Sequence, residues 1–236
     1  MSLLSNLRGA SKPLLCYVTD RHSLRVANST DSIEALMRKI AEVAAAGVDW
    51  VQIREKDLTA RELASLTEKS LRIAARSFAK SSFPTRVLVN DRLDIAIAER
   101  AGGVHLGENS LSIGAAKQLI RSAPPTQARG ESFLAGVSCH SLEAAEVAQR
   151  DGADYIFFGP IFATPSKGRF GPPQGAERLG QVCRAVSIPV LAIGGIALEN
   201  VAACLSAGAA GVAAIRLFQE AADPKHIVDS IQRITP

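Results

Sequence analysis

The sequence is poor in aromatic rings. Phe, Trp and Tyr together make up 5% of its residues, too few to build the platform on which single-stranded bases stack. It also lacks long blocks of Lys or Arg, and its formal net charge of +4 is spread along the chain rather than gathered into a basic stripe. Nucleic acid is therefore not expected as a partner, although a modest positive balance suits anionic metabolites. The four cysteines, Cys16, Cys139, Cys183 and Cys204, stand far apart with no CxxC pair, which removes both a zinc cluster and a disulfide framework. No run of about 18 apolar residues occurs without a charge or a breaker, and no long apolar stretch lies near the N-terminus. No membrane partner is expected, and the chain is expected to be cytoplasmic with reduced thiols.

What is there is an ordinary globular composition, 47% hydrophobic and 21% charged over 236 residues. Short apolar runs rich in β-branched residues recur, each followed by a longer stretch with helical spacing of Ala, Leu and Ile. That alternation marks parallel β/α units. Eight such runs are read: 14–19, 50–54, 86–90, 103–106, 134–138, 155–158, 189–193 and 211–215. Helical periodicity fills 32–46, 60–79, 141–150 and 198–207, among other stretches. Several of these stretches close on Gly before the next strand, at Gly47, Gly152 and Gly208, as a left-handed helix cap requires. The expectation is an α/β fold, a single (β/α)8 TIM barrel over residues 1–236 with its core at about 14–218. A doubly wound open sheet would use fewer strands, and no GxGxxG follows the first run.

In such a barrel, chemistry sits where strands end and βα loops begin. The second strand ends Gln52-Ile53-Arg54-Glu55-Lys56, and alternation sends Gln52, Arg54 and Lys56 to one side and Ile53 and Glu55 to the other. An amide and two cations facing the mouth suit a pyrophosphate; a purely structural arrangement would have Glu55 pair with one of the cations. The third strand delivers Asn90-Asp91, a carboxylate able to hold Mg²⁺ on a diphosphate or, equally, a turn or helix cap. Glu108 after the fourth strand is a candidate second carboxylate, whereas His105, on an apolar strand, reads as a hydrogen-bonded interior histidine. His140, just past the fifth strand, is either a proton-transfer group or a cap for the following helix. Residues 159–173 form a long Gly/Pro-rich loop carrying Thr164, Ser166, Lys167 and Arg169, read as a lid over an anionic substrate. Gly194 and Gly195 after the seventh strand, and Ile215 and Arg216 after the eighth, fall where barrels build phosphate sites from backbone N–H groups.

Taken together, Tyr17-Val18-Thr19-Asp20-Arg21, Val51-Gln52-Ile53-Arg54-Glu55-Lys56, Val89-Asn90-Asp91-Arg92, Gly103-Val104-His105-Leu106-Gly107, Gly136-Val137-Ser138-Cys139-His140, Gly152-Ala153-Asp154-Tyr155-Ile156-Phe157-Phe158-Gly159-Pro160 and Ala192-Ile193-Gly194-Gly195-Ile196 resemble, in order, the thiamine phosphate synthase and thiazole tautomerase family. The resemblance implies an enzyme joining a hydroxymethylpyrimidine diphosphate to a thiazole phosphate, with release of pyrophosphate and Mg²⁺ as cofactor. By that likeness Arg54, Lys56, Asn90 and Lys167 hold the pyrophosphate, and Asp91 the Mg²⁺. Gln52 and Ser138 face the pyrimidine, while Thr164, Ser166, Gly194, Gly195 and the backbone near Ile215 hold the thiazole phosphate. The sequence departs from the pattern after the fourth strand, where synthases carry Gly-Gln-x-Asp and this chain has Gly107-Glu108-Asn109-Ser110. That leaves Glu108 as the second carboxylate. Arg216 stands where the family often has Ser, and Ser166 where Thr is usual. The tautomerase branch, in which the residue matching His140 is the acid/base, is the alternative. A non-catalytic barrel that binds a phosphorylated metabolite is a third reading, and a homo-oligomer is left open.

Overall fold

The computed structural model describes residues 12–24, 29–77, 84–122, 133–163 and 172–234. Its strands are β1 (Leu14–Val18), β2 (Trp50–Ile53), β3 (Arg86–Asn90), β4 (Gly103–Leu106), β5 (Leu134–Cys139), β6 (Tyr155–Phe158), β7 (Val190–Ile193) and β8 (Gly211–Ala214). They pair in parallel, each with the next, and β8 returns to β1 to close the barrel. Closure explains the sequence pattern: strands covered on both faces are continuous apolar runs rather than alternating ones, and every residue of β1, β2, β4, β6 and β8 is buried.

The helices around the barrel are α1 (Ser29–Ala46), α2 (Ala60–Ser77), α3 (Leu93–Ala98), α4 (Ile113–Ser122), α5 (Leu142–Arg150), α6 (Gly175–Ala185), α7 (Leu198–Ser206), the short α8 (Arg216–Gln219) and α9 (Pro224–Gln232). Gly47, Gly152 and Gly208 take φ of 95°, 90° and 96° just past α1, α5 and α7, so the expected left-handed caps are present where the chain turns back into a strand. The core does not stop at residue 218. Val228 and Ile231 of α9 are buried against the rest of it, and α9 contacts α1 and α7.

The two faces of each strand feed two cores. Outward residues such as Leu15, Tyr17, Val51 and Ile53 pack against helices. Inward ones, Leu14, Cys16, Val18, Trp50, Leu88, Leu134, Tyr155, Phe157, Leu191 and Ala213, fill the barrel. The few aromatics are concentrated here: Trp50 and Tyr155 lie 4.7 Å apart and Tyr155 and Phe157 5.4 Å apart, ring centre to ring centre. Gly136 makes this packing feasible, since a Cβ on it would lie 2.1 Å from the Tyr155 ring. The barrel interior is thus filled by packed side chains, as in other barrels of this kind, whose active sites lie at the C-terminal end.

Candidate active site

At that end a cavity of about 470 Å³ opens over the aromatic plug, a size within the usual range for small-molecule sites. Its floor is half apolar (Val18, Phe157, Ile193, Ile215) and half polar (Gln52, Asn90, His105, Ser138), and Arg54, Lys56, Asp91, Glu108 and His140 stand in its wall. Nine of the residues singled out in the sequence therefore converge: Gln52, Arg54, Lys56, Asn90, Asp91, Glu108, Ser138, His140 and Ile215. Gly194 and Gly195 follow directly after the lining residue Ile193, and Arg216 is exposed at the start of α8. The two glycines have φ of 96° and 67°, and a Cβ on either would come within 2.6 Å of the chain after β6, at Pro160 or Ala163. Their smallness is thus needed for packing against that chain. Thr164, Ser166 and Lys167, with the centre of the expected lid, lie outside the described residues.

The alternation argument for β2 holds. Ile53 is buried among the outer residues, and Glu55 turns away from the cavity to pair with Arg21 at 3.0 Å rather than with Arg54 or Lys56. Glu55 also accepts from the Thr19 hydroxyl at 2.6 Å, and Thr19 in turn accepts from the Arg54 backbone N–H at 2.9 Å. Arg21 forks onto Asp57 through 2.7 and 2.5 Å contacts and holds that carboxyl well below the usual carboxylate range. The first and second strand ends are thereby tied together beneath the loop that carries Arg54 and Lys56. Among the described residues neither cation makes an ion pair.

A chain of side chains runs across the mouth. Gln52 Nε2 donates to Asn90 Oδ1 at 2.8 Å, and Asn90 Nδ2 donates to Asp91 Oδ2 at 2.9 Å. The other Asp91 oxygen accepts from the Gly107 N–H at 3.1 Å and from the Ser110 hydroxyl. Asp91 has φ of 61°, a left-handed conformation that Asp tolerates better than most residues and that aims its carboxylate at β4. Ser110, which carries no charge, still converges on this carboxylate as a hydrogen-bond donor. Among the described residues Gln52 Oε1 is buried without a hydrogen-bond partner, which costs about 1–3 kcal/mol unless another group donates to it.

No group of three or more acidic, His or Cys side chains forms a metal cage among the described residues. Mg²⁺ does not require one. It is commonly held by one or two carboxylates together with water and phosphate oxygens, and Asp91 and Glu108 in the wall of one cavity fit that pattern.

His140 Nδ1 donates to the Gly159 carbonyl, which fixes its ring at the mouth. It does not cap α5; Ser141 does, accepting from the Ala144 N–H at 3.1 Å. His105 is the interior histidine expected, bonded to Tyr155 and Ser138, but it also lines the cavity, as does Phe157. The inward side of β4 and β6, read two residues at a time toward the strand ends, would have placed both there.

A closed parallel barrel with cations and a carboxylate converging at its C-terminal mouth has the build of a TIM-barrel enzyme, a class whose active sites lie at that face and frequently bind phosphate. Residues 16–218 match the description of one such family, thiamine monophosphate synthase, and the chain belongs to it. It is 44% identical over 172 residues to a thiamine-phosphate synthase of Methanoculleus marisnigri, covering 73% of this chain and 74% of that one. With a thiamine-phosphate synthase of Chlorobium luteolum it shares 35% over 222 residues, 94% of this chain and 92% of the relative. A solved thiamine phosphate pyrophosphorylase from Pyrococcus furiosus superposes with a TM-score of 0.76 at 28% identity, covering 98% of both chains. Among the described residues no helix is long and apolar enough to cross a membrane.

Proposed function

We propose that this chain is a thiamine-phosphate synthase, coupling a 4-aminopyrimidine bearing a methylene diphosphate to a thiazole phosphate. The observation that carries the reading is the convergence of Arg54, Lys56 and Asp91 on one cavity that is also lined by Gln52, whose Oε1 has no hydrogen-bond partner among the described residues. In the reaction the C–O bond between the pyrimidine methylene and the diphosphate breaks, the thiazole nitrogen forms a C–N bond to that methylene, and pyrophosphate departs. Arg54 and Lys56 stabilise the negative charge that grows on the leaving group, the kind of fixed electrostatic help worth the most where water is excluded. Gln52 Oε1 accepts an N–H of the exocyclic amino group. Val18, Phe157 and Ile193 exclude water around the ring. The thiazole phosphate is assigned to the backbone at Gly194, Gly195 and Ile215, together with Thr164 and Ser166, and the pyrophosphate to Lys167 as well. No strong base is needed, because the nucleophile is a ring nitrogen with a lone pair.

Asp91, together with Glu108 in the same cavity wall, would hold Mg²⁺. When bound, the ion neutralises diphosphate charge and so makes a better leaving group. Aromatisation of the thiazole by His140 would make no use of Arg54, Lys56 and Asp91 around a second phosphate-bearing substrate. The test is to supply both substrates with Mg²⁺ or with EDTA and to follow thiamine phosphate and pyrophosphate together. Equal, Mg²⁺-dependent appearance of the two is expected. Absence of coupling with conversion of the thiazole alone would overturn the reading in favour of a tautomerase, and binding without conversion would favour a non-catalytic barrel.

A further inference from the structure

The floor of the cavity is wired from below by a second hydrogen-bond chain, and its direction can be worked out. Tyr155 is fully buried in the barrel, and its hydroxyl contacts His105 Nδ1 at 3.1 Å, the one hydrogen-bond partner found for it among the described residues. Burial pushes that phenol well above its usual range, so it keeps its proton. A buried O–H with a single partner spends its proton on that partner, because an undonated hydroxyl would forfeit a hydrogen bond that water once supplied. Nδ1 therefore accepts, which places the imidazole proton on Nε2. Nε2 faces Ser138 Oγ at 2.9 Å and so donates to it, with the ring clamped by stacking on Phe157 at 4.1 Å. Ser138, its oxygen already accepting, turns its own proton to the cavity.

The chain across the mouth has the opposite sense. Asp91 can only accept, so Asn90 presents its NH₂ to it, and the Asn90 oxygen must take the Gln52 NH₂. Gln52 Oε1 is thereby aimed away as an acceptor. A carboxylate at one end and a phenol at the other leave an acceptor and a donor on the same floor.

We propose that Tyr155 and His105 are positioning residues that fix Ser138 as a hydrogen-bond donor, so that Gln52 and Ser138 together read the donor–acceptor pattern of a 4-aminopyrimidine, an N–H beside a ring nitrogen, and reject its 4-oxo counterpart. This rests on the synthase reading for the identity of the ligand, but not for the direction of the chain. The same polarity argues against a nucleophilic serine, because Ser138 meets an N–H rather than the lone pair of a base, and His105 has a phenol where a triad would have a carboxylate.

The direction is measurable without turnover. Long-range ¹H–¹⁵N NMR on the ¹⁵N-histidine-labelled protein, with the His105 signal assigned by its loss in His105→Phe, should show a neutral ring protonated on Nε2. A ring protonated on Nδ1, or on both nitrogens, overturns the proposal. In Tyr155→Phe the Nε2–H preference should weaken, and kcat/KM for the aminopyrimidine diphosphate should fall about tenfold to a hundredfold, mostly through KM, with the KM of the thiazole phosphate unchanged. Unchanged kinetics and tautomer in Tyr155→Phe would also overturn it; should that variant not fold, the wild-type tautomer still decides. Calorimetric binding of the 4-amino and 4-oxo pyrimidine diphosphates to the wild-type protein separates the two readings. Preference for the amino compound without coupling would fail the synthase and keep the recognition, whereas equal binding would sink the recognition itself.

Discussion

Two groups of cations crown the same end of the barrel and behave differently. Arg21, after β1, is buried and satisfied by Glu55 and Asp57. Arg54 and Lys56, two and four residues past Gln52, line the cavity with no ion pair among the described residues. What separates them is the fate of Glu55. By turning outward to Arg21 it leaves Arg54 and Lys56 without an ion pair among the described residues, and two such cations in a concave, half-apolar site suit an anion, all the more if a cation occupies the carboxylates Asp91 and Glu108 beside them in the lining. Pairing, rather than charge, distinguishes the cation that holds the loops from the two proposed to hold a substrate.

The comparison is broken most severely by removing both unpaired cations. The double variant Arg54→Ala/Lys56→Ala should lose at least about a thousandfold in kcat/KM for coupling, measured by pyrophosphate release. Arg21→Ala, by contrast, leaves Glu55 buried without its partner and should lower stability by about 3 kcal/mol, read from the urea unfolding midpoint, because half of a buried pair is worse than none. Asp91→Asn should keep the fold and abolish the stimulation by Mg²⁺, a loss of about a hundredfold in kcat at saturating metal.

A smaller effect sets two carboxyls of opposite shift against each other. Asp49, at the far end of the barrel, accepts from the Leu15 N–H at 2.8 Å and is pushed up to about 6 by burial. Between the ordinary carboxyl value and that one the folded protein holds more protons than the unfolded chain, so its stability falls as pH rises through this window. Asn at position 49 keeps an acceptor for Leu15 and has no such slope. From about pH 4 to about pH 7 the stability of Asp49→Asn should therefore gain roughly 2 kcal/mol relative to wild type, followed by urea unfolding. Asp57 has the reverse sign: held low by Arg21, its contribution is present at neutral pH and disappears on acidification. Because its side chain is half exposed, solvent screening keeps that contribution small. Smallest of all, Ser110→Asp should tighten the Mg²⁺ dependence about tenfold, since a further carboxylate next to Asp91, added to Glu108, supplies another charged ligand.

The fold was legible because the barrel makes every strand a short, buried, apolar run and ends several helices on glycine. Each of the eight expected strands falls within one residue of its place at either end. The site was legible where alternation alone decides direction, as at Gln52, Arg54 and Lys56. It was not where a partner from elsewhere in the chain decides. Nothing around Glu55 shows that Arg21 will claim it, whereas the cap of α5 was a local signal, since Ser141 beside His140 is a preferred cap residue. Ser110 reads as a lost charge in sequence and as a hydrogen-bond donor to Asp91 in space. Tyr155, in the apolar run Tyr155-Ile156-Phe157-Phe158, gives no local sign that its hydroxyl reaches a histidine fifty positions earlier in the chain.

The most direct test of the division between paired and unpaired cations is Arg54→Ala alone, with pyrophosphate release and the urea unfolding midpoint measured on the same preparation. A fall of about a hundredfold or more in kcat/KM at an unchanged midpoint is the predicted result. Turnover close to wild type, or a midpoint shift as large as that of Arg21→Ala, would contradict it.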